Sequence, residues 1–172
     1  MNKQQYTLQN LAFLPKFEPM TPKKTYYINR TTTDDTISKM VRLASKAKQF
    51  IIQTKRYHTN KYPALIQILF AYEFKLHIIL IETLYLTQNN SILHSKIQHL
   101  FSIILSPSNV IQPWADIKKE LESFLHTDLF TFHQIQNIRV TNVKDKFQHW
   151  FRNTFVNIEL NNVRLNDWTL DM

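Results

Sequence analysis

The feature that most limits the fold of this chain is the absence of glycine from all 172 residues. An average usage of about 7% would place roughly a dozen glycines in a chain of this length. Positive backbone φ angles and close approach of the backbone to a phosphate both favour glycine. The sequence therefore excludes a Walker A loop, the dinucleotide-binding fingerprint and the glycine-flanked serine elbow of hydrolases.

Turns in such a chain must place other residues in the left-handed region, which asparagine tolerates best. The pairs Asn89-Asn90 and Asn161-Asn162 are therefore predicted turn sites. Codon bias in an AT-rich genome is an alternative cause of the missing glycine, and it carries no functional meaning.

Composition and charge limit the class of protein. A chain of 172 residues that is 44% hydrophobic is long enough for one sizeable core, so a single domain is expected. Lys and Arg outnumber Asp and Glu by 21 to 13, which favours polyanionic partners such as nucleic acid, although basic proteins without such partners exist. The absence of cysteine excludes disulfides and thiolate zinc sites and favours an intracellular location.

No membrane partner is expected either. The most apolar run, IILIETLYL, is interrupted by Glu82 and is far shorter than the roughly 20 residues that a membrane-spanning helix needs. The seven histidines show no paired ligand spacing, and His94 and His99, five apart, do not share a helix face. No metal site is predicted from them.

Hydrophobic periodicity predicts the order of elements after a polar, proline-containing and weakly ordered lead-in over residues 1–29. A single domain is expected over residues 30–172. Its first helix begins with a threonine cap followed by Asp34 and Asp35 and contains an apolar stripe at helical spacing: Ile37, Met40, Val41 and Ala44.

Strands are predicted at about 49–55, 64–71 and 76–84, the first two forming a hairpin with its turn at Thr59-Asn60. A second helix, a fourth strand in NVIQPW, a third helix, a fifth strand in NIRVTNV and a last helix follow. The apolar stripes of these helices are Leu93, Ile97, Leu100, Phe101 and Ile104; Ile117, Leu121, Phe124 and Leu125; and Phe147, Trp150, Phe151 and Ile158. This order predicts a mixed α/β sheet with helices on both faces.

The first predicted strand carries an unexpected pair of polar residues. Side chains alternate along a strand, so Gln53 and Lys55 share one face with Ile51 while Phe50 and Ile52 share the other. An amide and an ammonium side by side on a core strand could be an ordinary solvated strand end, or they could occupy a functional position.

Three stretches together resemble a known family: FIIQTKRYHTNKYPALIQI, IILIETLYL and NVIQPWADIKKELESFL. They are similar to the 3'-5' exonuclease domain of the DEDD superfamily, the type found in ribonuclease D and the Werner helicase. Within it they look closest to divergent exonuclease-like proteins of bdelloid rotifers. The resemblance covers most of residues 26–170 and implies a ribonuclease-H-like fold with sheet order 3-2-1-4-5.

The family hydrolyses phosphodiesters with two Mg or Mn ions held by four acidic residues. In the family pattern F-x-x-D-T-E the two acids fall on Gln53 and Lys55 of this chain, whereas Asp116 matches the second motif. The fourth acid should follow a signature that here is Trp168-Thr169-Leu170, two residues before the chain stops. The resemblance thus implies a truncated pseudoenzyme that lacks three of four metal-binding acids, with no cofactor expected. Asp116 taken alone also suits a helix N-cap.

Residual binding of single-stranded DNA or RNA is the most concrete role that this interpretation leaves. The residues expected to contact phosphates are basic: Lys55, Arg56, Lys61, Lys118 and Lys119. Tyrosines interleave the first three, as in single-strand binders, although basic hairpin tips are often only solvated. A protein-interaction module that reuses the fold, or a decayed gene fragment, are the alternatives. We also expect Lys55 to lie beside Asp116, where its ammonium would replace the lost metal charge.

Overall fold

A computed structural model describes residues 22–57, 62–86 and 91–146. Six strands and four helices lie wholly within this part of the chain, and residues 143–146 at its end are also helical. Two short 3-10 helices cover Thr83–Tyr85 and Leu125–Thr127. The strands are β1 (Lys23–Ile28), β2 (Gln49–Arg56), β3 (Pro63–Tyr72), β4 (Lys75–Glu82), β5 (Val110–Ile111) and β6 (Arg139–Val140). The helices are α1 (Asp34–Ala44), α2 (Ile92–Ile104), α3 (Ile117–Glu122) and α4 (Phe132–Gln136).

The strands form one mixed sheet in the order β1-β4-β3-β2-β5-β6. Pairing is antiparallel between β2 and β3 and between β3 and β4, and parallel in the other three pairs. Counted from β2, this order is 3-2-1-4-5 with β1 added at the edge. The predicted ribonuclease-H-like α/β fold is therefore confirmed.

Strand β1 corrects the extent of the predicted lead-in. Residues 23–28 pair in parallel with β4 from Lys23↔Leu76 to Ile28↔Ile81. The segment KKTYYI has the aromatic and β-branched residues that suit a strand, but its partner lies about 50 residues away. Residues 1–21 lie outside the described part of the chain.

One face of the sheet, here called the core face, carries the fully buried strand residues. Along β2, Phe50 and Ile52 are buried, whereas Ile51 and Gln53 on the opposite, outer face are exposed. The apolar stripes of α1 and α2 join the same core. Its strand members are Tyr26, Ile28, Phe50, Ile52, Ile66, Ile68, Phe70, Ile79, Ile81 and Ile111, and those of α1 and α2 are Ile37, Met40, Ala44, Ile97, Leu100, Phe101 and Ile104.

Local capping fixes where the helices begin. The Thr33 hydroxyl accepts from the backbone N–H of Thr36 at 3.4 Å at the start of α1, as the sequence predicted. Ser91 caps α2 in the same way, accepting from His94 at 3.0 Å. Such caps satisfy backbone donors that a helix leaves free in its first turn.

The hairpin of β3 and β4 turns through Glu73 and Phe74, between the paired residues Tyr72 and Lys75. Both central residues have positive φ, 49° at Glu73 and 58° at Phe74. The other positive φ in the described ranges is at Asp128. The predicted asparagine turns, the Thr59-Asn60 turn and the last predicted helix beyond residue 146 all lie outside the described residues.

The fourth and fifth predicted strands are present as two-residue strands, β5 and β6, each in parallel pairing. The third predicted helix is shorter than its apolar stripe, because α3 ends at Glu122 and Leu125 belongs to a 3-10 helix. In the described ranges no helix is long and apolar enough to cross a membrane.

Candidate nucleic-acid interface

The C-terminal half of β2 places the predicted site residues on two faces of the sheet. Gln53 is exposed and Lys55 is half-buried on the outer face, while Thr54 between them points to the core face. The pairs Gln53↔Gln67 and Lys55↔Leu65 join them to β3. The alternation predicted for this strand is thus confirmed, and the amide and the ammonium lie next to each other on one face.

Thr54 links this strand to helix α3. Its hydroxyl donates to the carboxylate Oε2 of Glu120 at 2.9 Å, in a partly buried position. This hydrogen bond spans 66 residues of sequence and fixes α3 against the core face of β2. Sequence reasoning missed Glu120, although its position four residues after Asp116 places both carboxylates on one side of a helix.

Asp116 is the N-cap of α3. Its carboxylate Oδ1 accepts from the backbone N–H of Lys119 at 3.4 Å, and its side chain is exposed. This is the N-cap role that the sequence left open beside the role of a former ligand.

No ion pair joins Lys55 and Asp116, although both residues lie in the described part of the chain; the ion pair found there is between Lys96 and Asp34. Helix α3 packs against the core face of β2 through Thr54, whereas Lys55 extends from the outer face. The adjacency of Lys55 and Asp116 stays a prediction from the sequence.

The residues at these positions do not fit the pair of divalent ions that the resemblance implies. Gln53 offers a neutral carbonyl, and Lys55 brings a positive charge to the same face. An ammonium about 4 Å from a divalent ion is repelled by roughly 8 kcal/mol at an effective dielectric of about 20. In the described ranges no group of three or more His, Asp or Glu residues could hold a metal ion.

The stem of the β2–β3 hairpin presents basic and aromatic side chains together. Arg56 is exposed after an irregularity in the strand register between residues 55 and 56. At the end of the described stem the backbone N–H of Tyr57 donates to the carbonyl oxygen of Tyr62 at 2.8 Å. The side chains of Tyr57 and Tyr62 are 48% and 43% exposed. Lys61 lies outside the described residues.

The hairpin stem lies against the segment that follows α3. The Tyr62 ring packs edge-on against His126 with centroids 5.3 Å apart. Lys118 on α3 donates to the backbone carbonyl of Gln136 at 2.7 Å and so joins α3 to α4. Lys119 is exposed. The predicted binding residues that the structure describes therefore divide into a hairpin group and a helix group, and Lys118 also has a structural role.

Solved structures of exonucleases are similar to this chain, whereas no family model and no curated protein matches it. One of these structures is Escherichia coli RNase D, an exoribonuclease involved in structured RNA processing. It has 25% identity, a TM-score of 0.42 and coverage of 60% of this chain and 24% of that one.

Two further solved structures are similar to this chain. Trypanosoma brucei RNase D in complex with RNA U12 has 13% identity, a TM-score of 0.42 and coverage of 61% and 33%. The EXD2 exonuclease domain soaked in Mg and GMP has 14% identity, a TM-score of 0.49 and coverage of 80% and 65%. The chain thus spans between 24% and 65% of the length of these three proteins.

Proposed function

We propose that this chain is a 3'-5' exonuclease-like domain that has lost catalysis and binds single-stranded nucleic acid without sequence preference. One observation carries the proposal: Gln53 and Lys55 share the outer face at the end of β2, the central strand on which the family pattern places two acids. The narrower resemblance, to proteins of bdelloid rotifers, and an intracellular location stay predictions from the sequence.

Loss of catalysis follows from the chemistry of these two side chains. Two-ion hydrolysis needs several carboxylate oxygens that converge on one spot. Of the acids near β2, Asp116 caps α3 and Glu120 accepts from Thr54, and Lys55 would repel a cation at this strand. No step of hydrolysis is therefore assigned to these residues.

Binding is supported by the exposed groups of the hairpin stem. Arg56 supplies a planar donor for phosphate oxygens, and the half-exposed rings of Tyr57 and Tyr62 offer faces on which bases stack. The net charge of +8 adds a long-range attraction for polyanions.

The activity arm of the test uses labelled single-stranded DNA and RNA with magnesium or manganese. The purified chain should not shorten either substrate. The double variant Gln53→Asp with Lys55→Glu should not restore trimming, because the Asp116 carboxylate caps α3 and the Glu120 carboxylate accepts from Thr54. Metal-dependent trimming by the unmodified chain that survives Asp116→Ala would contradict the loss of catalysis.

The binding arm measures the Kd for a labelled oligo(dT) over a series of salt concentrations. For single strands the log–log slope is about 0.7 per phosphate neutralised, so Arg56→Ala with Lys61→Ala should flatten it. The matched control is Lys46→Ala with Lys48→Ala, two exposed lysines at the other end of β2. Equal slopes in both double variants would remove the hairpin from the interface and leave an interaction module or a decayed fragment.

A further inference from the structure

The tip of the β3–β4 hairpin holds a side chain that neither folding nor packing explains. Phe74 is 95% exposed and has a φ of 58°, a region that is unfavourable for bulky residues. Its ring contributes nothing to the core, and asparagine would suit the backbone better. Residues held in unfavourable backbone regions are often found at functional sites.

Lysines from two strands lie beside this tip. Lys75 is exposed directly after Phe74, and Lys23 and Lys24 on β1 are exposed beside the next residues of β4. The pairs Lys23↔Leu76 and Lys24↔His77 fix the register of β1 against β4. The backbone N–H of Leu76 also donates to the carbonyl oxygen of Pro22 at 2.9 Å, which holds the start of β1 beside the tip.

His77 lies among these lysines, because it follows Lys75 by two residues on β4 and is paired with Lys24 of β1. Burial lowers the pKa of His77, and the positive charges of Lys75, Lys24 and Lys39 lower it further, whereas a backbone hydrogen bond with Tyr72 acts in the opposite direction. Lys39 belongs to α1, so helix and sheet both contribute charge to this corner. Lys24 also places its ammonium 5.4 Å from the centre of the Tyr26 ring.

The acidic residue of the tip, Glu73, interacts with the neighbouring Tyr72. A hydrogen bond from the Tyr72 hydroxyl to Glu73, together with burial and the negative charge of Glu73, raises the pKa of Tyr72. The lysines of this corner outnumber the single carboxylate of Glu73, so the corner carries a positive excess next to the exposed ring.

We propose that the β3–β4 hairpin tip is a second contact for single-stranded nucleic acid, in which a base stacks on Phe74 and phosphates bind Lys75 and Lys24. Aromatic rings set among basic residues bind single strands in this way because every base has a π face. The tip lies at the opposite end of β3 from Tyr62. Ten residues of strand at about 3.3 Å each separate the two contacts, so this site is distinct from the hairpin stem.

The test compares the affinity of the full chain and its variants for fluorescein-labelled oligo(dT) by fluorescence anisotropy. Phe74→Ala should raise the Kd roughly five- to 150-fold, the range found for loss of one base–aromatic stack, and should leave the salt slope unchanged. Phe74→Trp should keep the affinity and add tryptophan quenching on saturation. Lys24→Ala with Lys75→Ala should lower the slope by about 0.7 for each phosphate that the variant no longer neutralises.

Matched controls separate the tip from the general surface. Ile92, 76% exposed at the start of α2, serves as Ile92→Ala, and the exposed Lys46 serves as Lys46→Ala. Both should bind as the parent does. An unchanged Kd for Phe74→Ala would overturn the tip proposal, and so would Phe74-dependent binding to phosphatidylserine vesicles in the absence of oligo(dT) binding.

The binding experiments test the hairpin stem and the β3–β4 tip independently of each other. If Arg56→Ala with Lys61→Ala weakens binding and Phe74→Ala does not, the hairpin stem stands and the tip proposal is overturned. If only Phe74→Ala weakens binding, the tip is supported and the stem is not. Absence of oligo(dT) binding by the parent at low salt overturns both.

Discussion

Replacing Phe74 by glycine should stabilise the protein even though it removes a large hydrophobic side chain. A residue with a Cβ in the left-handed region costs about 1–2 kcal/mol, and Phe74 occupies that region with φ 58°. Glycine adopts it without this cost. The ring is 95% exposed, so its removal exposes almost no further core surface.

The magnitude follows from two opposing effects. Relief of the backbone cost favours the variant by about 1–2 kcal/mol, and the greater freedom of glycine in the unfolded chain opposes it by about 0.4–1 kcal/mol. Phe74→Gly should therefore gain about 0.5–1 kcal/mol in the free energy of unfolding, from the difference of those effects. For a chain of this size the expected rise in Tm is about 1–4 °C.

Phe74→Ala is the matched control, because alanine also lacks the ring but keeps the Cβ. Thermal unfolding followed by circular dichroism, and urea unfolding, should both rank the glycine variant above the alanine variant. Glycine no more stable than alanine would refute the reasoning, because the tip would then not be strained by its φ. Both variants should lose affinity for oligo(dT), so that stability and binding change in opposite directions in the glycine variant.

Three further predictions concern the core and the site. Because burial lowers the pKa of His77 from its ordinary 6.5, the unfolded state binds the proton better, and stability falls as pH drops below about 6.5 toward the folded pKa. The His77 ring stacks on that of Phe70 with centroids 5.2 Å apart. His77→Phe keeps a ring there and should lose this part of the pH dependence in urea titrations at several pH values. Thr54→Val leaves the partly buried Glu120 carboxylate without its donor and should lower the free energy of unfolding by about 1.5–3 kcal/mol. If Thr54→Val and Glu120→Gln together cost as much as the sum of the two single variants, the two residues are not energetically coupled. Asp116→Ala should cost about 1 kcal/mol as the loss of an N-cap, and Asp116→Asn should be nearly neutral; an equal loss in both would mean that the negative charge itself is required.

Local sequence determined the elements whose signals lie within a few residues. The α1 boundaries follow from Thr33 and the adjacent acids, and the faces of β2 follow from alternation, so the outward position of Gln53 and Lys55 was predictable. The element order predicted a mixed α/β sheet, and the family resemblance implied the strand order 3-2-1-4-5 that β2 to β6 adopt.

Only the tertiary structure decided the contacts that join distant parts of the chain. Strand β1 exists through its pairing with β4, and Glu120 reaches Thr54 across 66 residues. The same packing set α3 against the core face of β2. At the β3–β4 tip, Glu73 and Phe74 took positive φ values that their own preferences oppose, because the register of the two long strands left two residues to make the turn.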